Sequence, residues 1–546
     1  MKYNFNTGII FCIITAFSLL FISCDDSGGG TVTEIYAEGA VTPVVFSGPT
    51  TIVNFSELSN KNIYLVKVNM SSATVSGSQT GSARSFISDF ENDDDIDIDE
   101  PDFPRFNFPV RGRPLDEEIY YPLPIPSSSR TLTGEELIPL ASFTPPAIGT
   151  IRDFWVESAY GNRNFVQKPA TLSAIGNNCN IWVMEGSISD AKANELAVKF
   201  NQIYPAATNI IGFEYGGGPG GNGGVDGDPK IQILVYNIGH GVAGYFWSKD
   251  YYDQSQLTGV NASLRTNKAE IFYMDAAHVK EPNINSPAST LVHELQHMVN
   301  FNRKTLRGYI PATWYNEMLS LMLEDVMAGI IGYPVLNNSN LLDSTDKLNV
   351  VIDGHVMLWF IDFFFDYYKE GVTEWVNRSP SEAAIPYATK YAFGAYLLRN
   401  YGGAELLKRI MDSNSVNEVS ITAALSGSLT FDDVLRRYGE ALVFSGSSMP
   451  AGVNSFDRTV THTVNGTPYT IGRIDIHSFS NFGVNLGGNF VPLAPFIHNV
   501  KAAQPAMRQS SINVFDAPEW RNVSGDISIT LNRPGNRNIL YFLMVK

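Results

Sequence analysis

The chain of 546 residues is 44% hydrophobic and 17% charged, enough apolar material for a large buried core and for about three domains. Its 38 lysines and arginines stand against 55 aspartates and glutamates, and the net charge of −17 argues against a nucleic-acid partner.

The N-terminus carries Lys2, an apolar stretch from Ile9 to Ile22, then Ser23-Cys24 and a Gly-rich tether. That core is short for a membrane-spanning helix and resembles a bacterial lipoprotein signal, residues 1–24, with Cys24 as the lipidated residue. Phe21 stands where a small aliphatic residue is usual, a looseness similar to that of spirochaete lipoproteins. The predicted location is the cell envelope, on the outer membrane or cell surface; a simple signal peptide and secretion is the second choice. With Cys12 removed and Cys24 acylated, Cys179 is left alone and no internal disulfide can form.

Residues 25–70 read as a tether and a small β module, with the runs "VTPVVFSG", "TIVNFSE" and "NIYLVKVN" broken by turn residues. Residues 71–149 are Ser-rich, then acidic, then Pro-rich. Asp89 to Asp102 hold nine acids and no base, which fits a solvated linker or, as the sharper reading, calcium binding. From 150 the texture changes. "IRDFWV", "NIWVMEG" and "IQILVYNIG" read as strands around a helix built on "SDAKANELAVKFNQIY". "YGGGPGGNGGVDGDP" is a loop whose Asp226 and Asp228 either form a turn or bind calcium. "AEIFYMDAA", Ala269 to Ala277, is a further strand. The chain is then mainly helical to Ser445, with "HVMLWFIDFFFDYY" and "KYAFGAYLLRNYGGAELLKRIM" as two aromatic helices. Residues 446–546 return to short strands such as "DISITLN" and "NILYFLMVK", predicting a β-sandwich-like C-terminal domain. No internal repeat is evident.

Between the last strand and the helical region stands "STLVHELQHMVNF", Ser289 to Phe301. Leu291, Val292, Leu295, Met298 and Val299 recur at helical spacing, and Ser286-Pro287 supplies a cap and a proline at the first helical position. His293 and His297 therefore lie one turn apart on one face and can share an ion, with Glu294 toward the same cleft: an HExxH arrangement. A catalytic zinc takes three protein ligands and leaves a position for water. Glu317, twenty residues after His297, supplies the third. It lies in a second helix (Trp314, Met318, Leu321, Met322, Val326) that follows the polar loop "NRKTLRGYIP" and closes at Gly329.

"HELQHMVNF" followed by "WYNEMLSLMLED" resembles the gluzincin metallopeptidases, and among them the hyicolysin-type branch, over roughly Ile271 to Gly329. The resemblance implies an α+β, zincin-like metallopeptidase domain spanning 150–445, with a mixed sheet, an active-site helix and a helical C-terminal subdomain, between small β-rich flanks. It implies one zinc held by His293, His297 and Glu317, Glu294 as general base, and a peptide paired along the strand Ala269 to Ala277 as the sheet's edge. Thermolysin-like relatives carry an aspartate four residues after the third ligand; here that position is Leu321. The carboxylate partner of a ligand histidine is instead sought at Glu324, two turns after Glu317. A second donor for the oxyanion is sought in the helical region, at His355, Tyr391 or Tyr396. His240 and His278 fall outside the motif and read as structural or surface residues. The expected function is a lipid-anchored zinc endopeptidase acting on peptide or protein substrates; the rival is a binding lipoprotein that keeps the scaffold without hydrolysis.

Overall fold

The computed structural model describes residues 33–35, 38–75, 110–111, 143–335, 354–358, 367–376, 378, 382–425, 429–446, 452–474, 476, 483–486, 489–492, 497–501 and 506–546. The signal segment with Cys24 and most of the acidic and Pro-rich stretch lie outside these residues. No described helix is long and apolar enough to cross a membrane.

The architecture is α+β. Seven strands form a mixed sheet in the order Val110–Arg111, Val242–Phe246, Ile271–Asp275, Ile231–Tyr236, Cys179–Met184, Phe165–Ile175, Ile151–Glu157. Ile271–Asp275, Ile231–Tyr236 and Cys179–Met184 run parallel and are buried along their whole length. They read as unbroken apolar runs because both faces are covered. The helix Asp190–Ile211, capped by Ser189, packs on this sheet and buries Leu196, Phe200, Ile203 and Ile210.

The order of strands corrects one expectation. Ile271–Asp275 is an inner strand, parallel to Ile231–Tyr236 on one side and antiparallel to Val242–Phe246 on the other. Val242–Phe246 is therefore the strand toward the sheet's rim, and its outer side pairs with Val110–Arg111. Chain proximity to the next helix does not make a strand an edge; the antiparallel return of Val242–Phe246 covers it.

The helix carrying the histidines spans Asn285–Arg303. It starts one residue before the predicted Ser286-Pro287 cap, and Asn283 Oδ1 accepts the Asn285 N–H. Pro287 remains in the first turn, where a missing N–H costs nothing. The second helix runs Thr313–Ile331 and stops at Gly332 in the left-handed conformation, three residues beyond the predicted end. "HVMLWFIDFFFDYY" shows only short 3-10 turns at Val356–Leu358 and within Tyr367–Lys369, the residues between lying outside those described. The second aromatic stretch breaks at Gly402 into helices Ala384–Tyr401 and Gly403–Asp412.

The two β flanks are not separate. Thr50–Lys61 pairs with Val523–Asn532, and Ile63–Asn69 pairs with both Ile512–Asp516 and Ile539–Val545. N-terminal and C-terminal strands thus share a three-stranded and a five-stranded sheet. Leu65, Phe515, Tyr541 and Leu543 face the three-stranded sheet with Phe55, Ile529 and Leu531. The alternate residues Val66, Val68, Val514, Phe542 and Met544 join the main core instead. There the helix Phe431–Phe444 packs so closely that a Cβ on Gly439 would come within 2.8 Å of Val66 Cγ1.

Candidate metal centre

The helix Asn285–Arg303 is buried from Ser286 to Phe301 although it carries histidines, glutamate, glutamine and asparagine there. Buried polar groups are costly unless bonded, and these are bonded to the helix Thr313–Ile331 in one continuous seam. Ser289 Oγ donates to Glu324 Oε2 (2.5 Å), Ser320 Oγ to Gln296 Oε1 (2.5 Å), and Asn300 Nδ2 to Asn316 Oδ1 (2.8 Å). Positions 289 and 293 meet 324, 293 and 297 meet 317, 296 and 297 meet 320, and 300 meets 316, so helical spacing on both partners aligns the seam.

At its middle lie His293, His297 and Glu317. Glu317 Oε2 is 3.1 Å from His293 Nε2 and 3.6 Å from His297 Nε2, and the two imidazoles meet edge to face at 4.7 Å between centroids. Among the described residues, these are the only three His, Cys, Asp or Glu whose ligand atoms lie within 4.8 Å of one another. Tetrahedral zinc with bonds of about 2.0–2.2 Å holds its ligand atoms about 3.3 Å apart, and the two measured separations bracket that value. Glu317 Oε1 is buried without a hydrogen-bond partner, an oxygen that a cation would satisfy. The donor set fits a zinc ion.

His293 Nδ1 lies 2.9 Å from Glu324 Oε1. A carboxylate there holds the proton on Nδ1 and leaves the Nε2 lone pair facing Glu317. His297 is fixed by Ser320 Oγ, 3.2 Å from Nδ1. Burial disfavours a charged His297, but contact with Glu317 outweighs it and raises the pKa to about 9. Burial likewise works against a charged Glu317; the two histidines overcome it and hold the carboxyl down at about 2.

Glu294 projects to the sheet side. Its Oε2 accepts the backbone N–H of Phe246 at 2.8 Å. The strand Val242–Phe246 comes this close because Gly244 has no side chain: a Cβ there would stand 2.8 Å from Met274 Sδ and 3.1 Å from Thr290 Cγ2. The strand backbone thus passes over the helix at the acid beside the first histidine.

The expected oxyanion donors are not brought to this centre. Tyr396 donates to Val434 O (3.0 Å) and pairs with Tyr401 (2.9 Å). The Tyr391 hydroxyl lies beside the buried Asp325–Arg399 ion pair. His355 accepts from Met357 N and lines a small cavity with Asp325, Ala328 and Gly329, turns beyond Glu317. The tyrosine that does approach is Tyr387, one turn before Tyr391 on the same helix, its ring 6.5 Å from that of His293. Sequence reasoning missed Tyr387, Ser320 and Ser289. The serines carried a signal, being small polar residues at helical spacing from His293 or Glu317 in otherwise apolar helices.

His278 is structural, with Nδ1 3.0 Å from Glu281 and Nε2 3.0 Å from Thr290. Asp228 is bound by Asn180, Gln232 and Lys230 N, as a turn former.

Two histidines and a carboxylate of adjacent helices, buried around one point in an α+β chain, have the make-up of a metal centre. This chain belongs to the Peptidase M30 family, whose profile matches residues 162–517, and so to a metallopeptidase family. It is also similar to the neutral metalloprotease ShpI of Staphylococcus hyicus, 27% identical in an alignment of 281 residues that covers 48% of this chain. The aligned part covers 55% of that relative, so the chain spans about half the length of the curated relative it matches.

Proposed function

We propose that the chain is a zinc-dependent endopeptidase of gluzincin type with a zincin-like catalytic domain over residues 150–445. The observation that carries this reading is the convergence of His293 Nε2, His297 Nε2 and Glu317 Oε2 beside Glu294. His293, His297 and Glu317 would hold the ion, with Glu324 and Ser320 orienting the two imidazoles. When bound, zinc supplies Lewis acidity to a water and to the scissile carbonyl. Glu294 takes the proton of the attacking water and returns it to the leaving amine, its carboxylate steadied by the Phe246 N–H. An extended peptide pairs along Val242–Phe246, the position that Val110–Arg111 takes in this structure.

We further propose that residues 1–24 are a lipoprotein signal and that lipidated Cys24 anchors the enzyme to the cell envelope, with residues 71–149 as linker. Casein digestion with and without a zinc chelator tests the activity. Chelator-sensitive cleavage is expected, and absence of cleavage by the zinc-loaded chain favours the rival reading, a binding lipoprotein. Cys24→Ala should release the protein from the membrane fraction; retention overturns the anchor and leaves the peptidase reading intact.

A further inference from the structure

A second group of buried charge lies under the Gly-rich loop that leads from Tyr215 to Asp228. Glu214 and Glu270 are 4% and 3% exposed, and among the described residues neither forms an ion pair with a lysine or arginine. Glu214 accepts the Tyr204 hydroxyl at 2.7 and 3.0 Å, and both oxygens of Glu270 share the N–H of Val225 at 3.0 and 3.3 Å. The loop backbone rests directly on these carboxylates. A Cβ on Gly217 would lie 2.2 Å from Glu214 Oε1, and one on Gly224 would lie 2.2 Å from the Glu270 carboxyl carbon. Asp226 lies in the loop itself and accepts the Asp228 N–H at 2.9 Å.

Tyr251 is a separate indication. Its ring meets Tyr215 edge to face at 6.0 Å, it is 2% exposed, and its hydroxyl is buried without a hydrogen-bond partner. The carboxylates that act on that hydroxyl are Glu270 first, then Glu214 and Asp226, with Asp250 last. Asp250 is already paired with Lys249 at 2.7 Å. The phenol without a hydrogen-bond partner thus stands near two buried carboxylates, Glu270 and Glu214, that no described lysine or arginine pairs, an arrangement that an oxygen-coordinated cation would satisfy.

We propose that Glu214, Asp226 and Glu270, with carbonyls of the Gly-rich loop, form a calcium site distinct from the centre at His293, His297 and Glu317. Calcium takes six to eight oxygen ligands from carboxylates, backbone carbonyls and waters in flexible geometry; this pocket offers oxygen and no imidazole or thiolate. Burial raises the carboxyl of Glu270 well above its ordinary range and that of Asp226 to about 6, so the ionised forms lack the stabilisation that a bound cation would supply. The three carboxylates stand wider than the ligands of one ion. Binding therefore draws the loop inward, a movement its glycines permit. The inference does not depend on the peptidase reading.

The test uses the full-length, zinc-loaded chain passed through a divalent-cation-depleting resin and then titrated with calcium chloride. Bound calcium and zinc are measured by elemental analysis and stability by thermal melting. The expected result is one calcium per chain, a raised Tm and unchanged zinc. Glu270→Gln and Glu214→Gln should each weaken calcium binding at least tenfold while folding normally, because the amide removes repulsion without changing shape. No calcium uptake at millimolar concentration overturns the proposal. Uptake that survives both substitutions also overturns it, since the ion then sits elsewhere, such as on the acidic run Asp89 to Asp102.

Discussion

Glu324 Oε1 stands 2.9 Å from His293 Nδ1 while its other oxygen takes the Ser289 hydroxyl at 2.5 Å. The carboxylate is thereby oriented by one residue of the histidine helix to hold another, one turn further on. Removing it frees the imidazole to rotate and to change tautomer. Glu324→Ala should weaken zinc binding about 10–100-fold, measured by competition with a chromophoric chelator. Glu324→Gln, which keeps an acceptor oxygen, should lose less. Wild-type affinity in Glu324→Ala would mean that His293 needs no partner.

Glu294 separates holding the metal from using it. In Glu294→Gln the amide oxygen can still accept the Phe246 N–H, so the strand and both histidines should keep their places. The amide cannot take a proton from water, and a positioned base contributes about 10²–10⁴-fold in rate. Peptide hydrolysis should fall by about that factor with zinc content unchanged. Full zinc and undiminished cleavage together would falsify the assignment of the base.

The pKa of His297 sets the pH dependence of metal uptake. Burial alone would lower it, but Glu317 raises it to about 9, so the metal-free chain holds a proton on His297 at neutral pH. Glu317, held down at about 2, is ionised throughout and contributes none. Zinc must expel the His297 proton, so apparent affinity should rise about tenfold per pH unit up to about 9 and then level off. Calorimetry at pH 7.5 in buffers of different ionisation heat should show about one proton released per zinc. Affinity that is flat between pH 7 and 9 would show that His297 is already neutral.

Gly439 joins the β flanks to the helical region. The 2.8 Å approach of its missing Cβ to Val66 Cγ1 leaves no room for a methyl group. Gly439→Ala should destabilise by about 1–3 kcal/mol through overpacking, offset by about 1 kcal/mol of helix propensity. Thermal melting reads the difference, and the zinc content should stay constant. A clearly stabilised variant would mean that the helix and the five-stranded sheet do not meet at this point.

The sequence by itself determined the local elements that carry the centre. Periodicity marks the helix of His293 and His297 and the helix of Glu317, because a buried stripe repeating every three to four residues is written in consecutive residues. The strands Cys179–Met184, Ile231–Tyr236 and Ile271–Asp275 were legible as short unbroken apolar runs, and the loop around Gly308 and Pro311 from its polar residues and helix breakers. Only the tertiary structure decided that Val242–Phe246, and not Ile271–Asp275, is the strand toward the rim, because neighbours in a sheet are chosen by long-range hydrogen bonds. It likewise joined Thr50–Lys61 to Val523–Asn532, more than 460 residues apart, where two separate modules had been expected. It put Tyr387 near His293 and turned Tyr396 toward Val434 on one and the same helix. In the sequence those tyrosines are alike; which neighbours each one meets depends on the helices packed around them.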